Sequence, residues 1–286
     1  MPVYLFFAVS QAAKVFSAAL SNYTAKKLLH GKKDTFFYNF AVFAMCAAVF
    51  AVAALFEDIS LYTVILGIIF GVFTTLCNMY GLLALSEGPL NLTNLITTSS
   101  IIISSLSGVL LFGEHFSLGK FIATVCLVGF ISLAVTKGEG GKTKIGKKWL
   151  LHCLIAFLAQ GAVGVTQKIQ QNSAFSQEMI PFLAVTFAVT ALCSLLAAGK
   201  RKERTSFGKK HFLAAALCAL CTVGMNYLNL ALSGKLPSQF FFPFSAGCGV
   251  VLISTVSVVF FKEKLTLRQT VGLIGGIISL ILICIF

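Results

Sequence analysis

The chain has 286 residues, of which 58% are hydrophobic and only 11% charged. A soluble domain is about a quarter charged, so a water-facing globular surface is excluded and a lipid solvent is implied. The net charge of +13 does not point to nucleic acid, because the basic residues sit in short loops between apolar runs rather than on one folded face.

Ten apolar stretches recur, each near the length that a helix needs to cross a hydrocarbon core of about 30 Å. They cover residues 4–25, 35–56, 61–84, 90–112, 118–136, 150–169, 179–198, 211–232, 237–261 and 266–286. The runs are continuously apolar, not alternating, which predicts helices rather than barrel strands. No basic segment precedes the first run, so it is expected to be a span and not a cleavable signal.

The first span carries Gln11 and Lys14. At about 1.5 Å of rise per residue, Lys14 lies roughly 15 Å deep, too far in for an easy escape by snorkelling. An ionisable group at that depth marks a functional site by default. Its ammonium is expected to face a cavity and attract a carboxylate or phosphate, with Gln11 adding a hydrogen bond one turn away. The bland alternative is a structural tie to backbone carbonyls. The third span holds Asn78 and Tyr80, together with Gly67-x-x-x-Gly71, which predicts close helix packing within the chain.

The fourth span has the densest polar stripe: Asn91, Asn94, Thr98, Ser105 and Gly108 at helical spacing. Such a face must meet protein or a water-filled cavity; helix-to-helix hydrogen bonding is the competing reading. Gln160 in the sixth span aligns with Gln11, and the eighth span holds Asn226, Tyr227 and Asn229. The ninth opens with Gln239, and Pro243 follows within a run of Phe. Pro243 is expected to break the helix and expose carbonyls to a substrate. The tenth carries Gly272-x-x-x-Gly276.

Nine cysteines all fall within or at the edge of apolar segments, and Cys218-x-x-Cys221 has no His or second pair beside it. They read as small buried hydrophobes, with no metal site. His30, His115, His152 and His211 read as interfacial. No nucleotide-binding motif, no His-Glu-x-x-His and no mid-span acid occurs, so neither an enzyme nor a cofactor is expected.

Loops 26–33, 137–148, 200–210 and 262–268 hold all of the 22 Lys and Arg except Lys14, Lys120, Lys168 and Lys235. The positive-inside bias puts those loops in the cytoplasm and both termini outside. The expected location is the cytoplasmic membrane.

The chain also says nearly the same thing twice. Leu83-Ala84-Leu85-Ser86 recurs as Leu230-Ala231-Leu232-Ser233, each with a Tyr three residues upstream (Tyr80, Tyr227) and a Pro after it (Pro89, Pro237). Phe112-Gly113-Glu114-His115 is echoed by Phe261-Lys262-Glu263-Lys264, and Gly129–Leu133 by Gly276–Leu280. The offset stays between 147 and 149 residues. Residues 1–136 and 149–286 are therefore read as two repeats, joined by a basic, Gly-rich linker at 137–148. Five spans per repeat is an odd number, so the second copy must enter the membrane from the opposite side.

These features resemble the EamA repeat of the drug/metabolite transporter superfamily across the whole chain. The resemblance implies ten helices as two inverted five-helix repeats around a central cavity, and export or exchange of a small organic solute. Glu114 and Glu263, in the family's turn, are read as structural or gating groups that pair with a basic neighbour or cap the following helix. The sites expected to meet substrate are Gln11, Lys14, Asn78, Tyr80, Asn94, Thr98, Gln160, Asn226, Tyr227 and Gln239. The expected partners are the lipid bilayer and a small anionic or zwitterionic metabolite, with the chain as monomer or homodimer. Efflux of lipophilic cations through an aromatic-lined cavity, a channel, and a non-transport membrane protein are the alternatives.

Overall fold

The computed structural model describes residues 2–27, 32–87, 90–135, 146–199, 208–261 and 266–286, and every regular element among them is a helix. In chain order these are α1 (Pro2–Lys27), α2 (Lys32–Ala54), α3 (Leu61–Glu87), α4 (Leu90–Ser99), α5 (Ile101–Phe112), α6 (Leu118–Val135), α7 (Lys147–Gln171), α8 (Met179–Gly199), α9 (Lys209–Lys235), α10 (Ser238–Phe261) and α11 (Leu267–Ile285). Among the described residues, eight helical runs are long and apolar enough to cross a membrane. Two shorter apolar helices, Leu118–Leu133 and Ser238–Leu252, stand beside them. The surface is rich in exposed Leu, Ile, Val and Phe, including Phe56, Leu110 and Leu267, while many Ser and Thr are buried. Lipid, not water, suits that exterior, and the chain is a multi-pass membrane protein.

Two expectations about helix breaks are corrected. The fourth span is two helices, interrupted at Ser100, where the Ser100 N–H bonds Thr97 O at 3.2 Å. The cause lies in the Thr97-Thr98-Ser99-Ser100 run. Thr97 Oγ1 donates to Thr93 O at 2.9 Å and Ser99 Oγ to Leu95 O at 2.7 Å; side chains bonding their own helix compete with its ladder. The ninth span, by contrast, continues straight through Pro243 as α10. Pro243 sits in the second turn, where one missing N–H is tolerated by the helix that follows.

The chain divides into two compact units, Met1–Thr75 with Gln170–Leu232, and Leu76–Ile169 with Ser233–Phe286. Each unit draws from both sequence halves. In the first, the most extensive helix pair is α2 with α8, filled by a stack of Phe43 and Phe50 on Phe187. There too α3 packs on α8. Thr186 Oγ1 donates to Gly67 O at 3.3 Å and Thr190 Oγ1 to Gly71 O at 3.4 Å, so the two helices run parallel. A Cβ on Gly67 would lie 3.0 Å from Val185 Cβ, and one on Gly71 2.8 Å from Thr186 O. The Gly67-x-x-x-Gly71 pair is thus an intramolecular contact.

In the second unit α6 pairs with α11. Gly119 meets Phe286 at one end and Phe130 meets Gly275 at the other, so these helices run antiparallel. Their seam is the cluster Ala123, Leu127, Ile131, Leu280 and Ile283. Gly275, not the Gly276 of the sequence motif, makes the close approach. The helix α7 begins at Lys147, inside the expected linker, whose residues 137–145 lie outside the described residues.

Candidate functional site

In the first unit, one stripe of α1 faces α9. Ser10 Oγ donates to Asn229 Oδ1 at 2.7 Å, and Ser17 Oγ lies 3.2 Å from Cys218 Sγ. Lys14 stands four residues after Ser10 and three before Ser17, so it belongs to that stripe; it is half-buried, and Gln11 is buried. On α9, Asn226 Nδ2 donates to Thr222 O at 2.8 Å, and Tyr227 is half-buried beside it. A mid-span cation thus lies along a seam of hydroxyl and amide groups.

The second unit holds the other candidates. Cys77 Sγ donates to Gln160 Oε1 at 2.7 Å, fixing the end of α3 against α7 next to the exposed Asn78. Tyr80 packs on His152, two turns before Gln160, with ring centroids 5.5 Å apart. Thr98 is half-buried on α4. The polar stripe continues on α5, where Ser104 Oγ donates to Gly161 O at 3.4 Å. The side chains of Asn91 and Asn94, and all of Glu263, lie outside the described residues. Gln239 is buried; its Oε1 accepts the N–H of Ser117 at 2.9 Å, while its Nε2 has no hydrogen-bond partner among the described residues.

Glu114 and Lys168 form a buried ion pair, their closest atoms 2.6 Å apart. Lys168, in the last turn of α7, is 3% exposed. Its ammonium also donates to Ser233 O at 2.9 Å and Leu236 O at 3.1 Å, so all three protons are used. Glu114 accepts the N–H of Ser238 at 2.7 Å and its hydroxyl at 3.3 Å. The carboxylate therefore caps α10, not the helix that follows it in sequence; α6 starts on Ser117 Oγ, which accepts the Lys120 N–H at 3.3 Å. The local chain makes this possible. Gly113 ends α5 at φ 65°, a left-handed conformation that suits glycine. The chain then folds back until the Glu114 N–H bonds Gly108 O at 3.0 Å. A Cβ on Gly108 would collide with the Glu114 carboxylate.

Lys168 was not among the residues the sequence pointed to. Its signal was present: it is one of few basic residues outside the basic loops.

The first unit holds a similar cap, with no basic side chain paired to it among the described residues. Glu178 accepts the Ser60 N–H at 3.0 Å and the Ser60 hydroxyl at 2.8 Å, at the start of α3. Burial raises the Glu178 carboxyl, but hydrogen bonds from Thr63 and from both Ser60 donors outweigh it and hold it below the usual carboxylate range.

A solved crystal structure of a protein shares this fold. Its TM-score is 0.75 at 14% identity, over 98% of this chain and 96% of its own. No curated protein matches the sequence. Residues 147–285 match the EamA-like transporter family. They are the half that contains Lys168, Ser238 and the antiparallel partner of α6, so the family likeness lies in the second half of the chain.

Proposed function

We propose that the chain is a secondary transporter, moving a small anionic or zwitterionic, amino-acid-like metabolite across the cytoplasmic membrane by alternating access. Two inverted five-helix repeats would supply the two access states. The antiparallel packing of α6 on its repeat counterpart α11 supports that inversion. The observation that carries the substrate class is Lys14. It is a mid-span ammonium on a stripe whose neighbours Ser10 and Ser17 contact α9, in a chain whose nine acids all lie at span ends or in loops. Gln11, Asn226 and Tyr227, in the same unit, serve the substrate beside it; Asn78, Tyr80, Asn94, Thr98, Gln160 and Gln239 are the second unit's own candidate polar groups.

The test is uptake into proteoliposomes, with substrate first identified by a ligand-stabilisation screen on the purified protein. Lys14→Met abolishes transport of the anionic substrate and Lys14→Arg retains part of it. Full transport by Lys14→Met removes Lys14 from the mechanism. Efflux of lipophilic cations, over the aromatic face where Phe240 stacks on Phe244 at 4.9 Å, predicts the opposite: hits that are cations, and activity indifferent to Lys14. A C-terminal reporter active on one side only tests the orientation, with both termini expected outside.

A further inference from the structure

We propose that the first unit carries a collar of six lysines, Lys26, Lys27, Lys32, Lys33, Lys209 and Lys210, which binds the anionic headgroups of the surrounding phospholipid leaflet. The inference stands apart from the transport reading, since it concerns a different partner and uses no substrate contact.

The fold gathers these residues from distant parts of the chain. Ser10 bonds Asn229, while Ser17 and Ser21 meet Cys218. The helix α1 therefore runs antiparallel to α9, and its last residues, Lys26 and Lys27, stand at the end where α9 starts. Tyr38 Oη donates to Ala214 O at 3.4 Å and Cys46 Sγ to Ala219 O at 3.6 Å, so α2 runs parallel to α9. Lys33 stands five residues before Tyr38, and Lys209 five before Ala214. Both lie about 7.5 Å past that bond along their helices. Three lysine pairs thus share one end of the unit.

That end lies at headgroup level. Lys209 and Lys210 are exposed, and the next exposed side chains along α9 are Phe212 and Leu213, which suit hydrocarbon. Lys210 is about 3 Å along the axis from that apolar surface. The lysines do not serve the helices they begin. The helix α9 opens on Lys209-Lys210 with no acid in its first turn, so two cations sit at the positive end of its dipole. The helix α2 opens on Lys32-Lys33, and the one acid of its first turn, Asp34, is buried. A layer of phosphate groups over these helix ends turns repulsion into attraction, by about five-fold in affinity per lysine.

The experiment needs no transport. It compares the chain in nanodiscs of phosphatidylcholine with the chain in discs of phosphatidylcholine and phosphatidylglycerol in equal parts. Phosphatidylglycerol raises the wild-type Tm by about 2–4 °C, and salt at about 0.5 M removes most of the rise. Lys209→Gln/Lys210→Gln loses at least half of the rise, yet is no less stable than wild type in phosphatidylcholine, because it relieves the repulsion at the start of α9. Lys120→Gln/Lys235→Gln takes the same charge from outside the collar and keeps the full rise. Binding of short-chain phosphatidylglycerol in detergent reads affinity apart from stability, and is about 25-fold weaker in Lys209→Gln/Lys210→Gln. No rise in the wild-type chain, a rise undiminished in Lys209→Gln/Lys210→Gln, an equal loss in both double variants, or the same rise from inorganic phosphate added to phosphatidylcholine discs overturns the proposal.

Discussion

Replacing Lys168 by Met removes the ammonium and keeps the apolar stem. Glu114 then loses its nearest partner, at 2.6 Å, and the carbonyls of Ser233 and Leu236 lose donors at 2.9 and 3.1 Å. Breaking a buried pair from one side costs about 3–5 kcal/mol. Glu114 keeps both Ser238 donors and some exposure, so the lower end applies, about 3 kcal/mol. At roughly 2–4 °C per kcal/mol for a chain of this size class, the Tm falls by about 6–12 °C. The chain has one tryptophan, Trp149, buried in the same unit and donating its indole N–H to Thr93 Oγ1 at 2.8 Å. Its fluorescence during heating in detergent reads the loss directly. Glu114→Gln/Lys168→Met removes both charges and keeps an acceptor for Ser238, so it is more stable than Lys168→Met alone. A shift under about 2 °C in the single variant, or a double variant less stable than the single, refutes the reasoning that a buried charge was stranded.

Three further outcomes are expected. Gly71→Val overpacks the α3–α8 contact, where a Cβ lies 2.8 Å from Thr186 O, and costs about 1–3 kcal/mol; Gly81→Ala, with nothing within 4 Å, is neutral or stabilising by up to about 1 kcal/mol. Thermal melts of the two variants check this contrast. Because the folded-state value of Glu178 is depressed, its stabilising effect is complete above the ordinary carboxylate range and is lost as pH falls through the depressed value. Glu178→Gln should therefore flatten the acid limb of Tm against pH without changing the limb above neutrality. Lys14→Met leaves the Tm within about 2 °C of wild type while abolishing transport, since a half-buried cation that serves substrate contributes little to folding.

Most of the architecture was legible because hydropathy is a local property. Each span partitions between water and lipid on its own composition, and the duplicated turns mark where spans end. What escaped was tertiary. Glu114 was read as pairing with a basic neighbour or capping the next helix, since sequence offers only sequential neighbours; it does pair with a lysine and cap a helix, but Lys168 and Ser238 lie far along the chain on α7 and α10. The helix break was assigned to Pro243, the residue with the strongest local rule, yet it falls at Ser100, just after Thr97 and Ser99 have bonded carbonyls of their own helix. Gln239 was read as a substrate contact, and half of its amide is already committed to the Ser117 N–H. The Ser10 to Asn229 bond could not be read in advance either, because nothing along the chain links those two positions.

The pairing of α2 with α8, and of α6 with α11, also bears on how the protein is made. Leu118 leaves the ribosome long before Leu267, and at about 5–20 residues per second the delay is on the order of ten seconds. Throughout that interval α2 and α6 sit in the bilayer with their eventual helix-facing sides against lipid or an insertion factor. The early half is a template awaiting its complement, and a ribosome that stalls between the two leaves an orphan that membrane quality control can recognise.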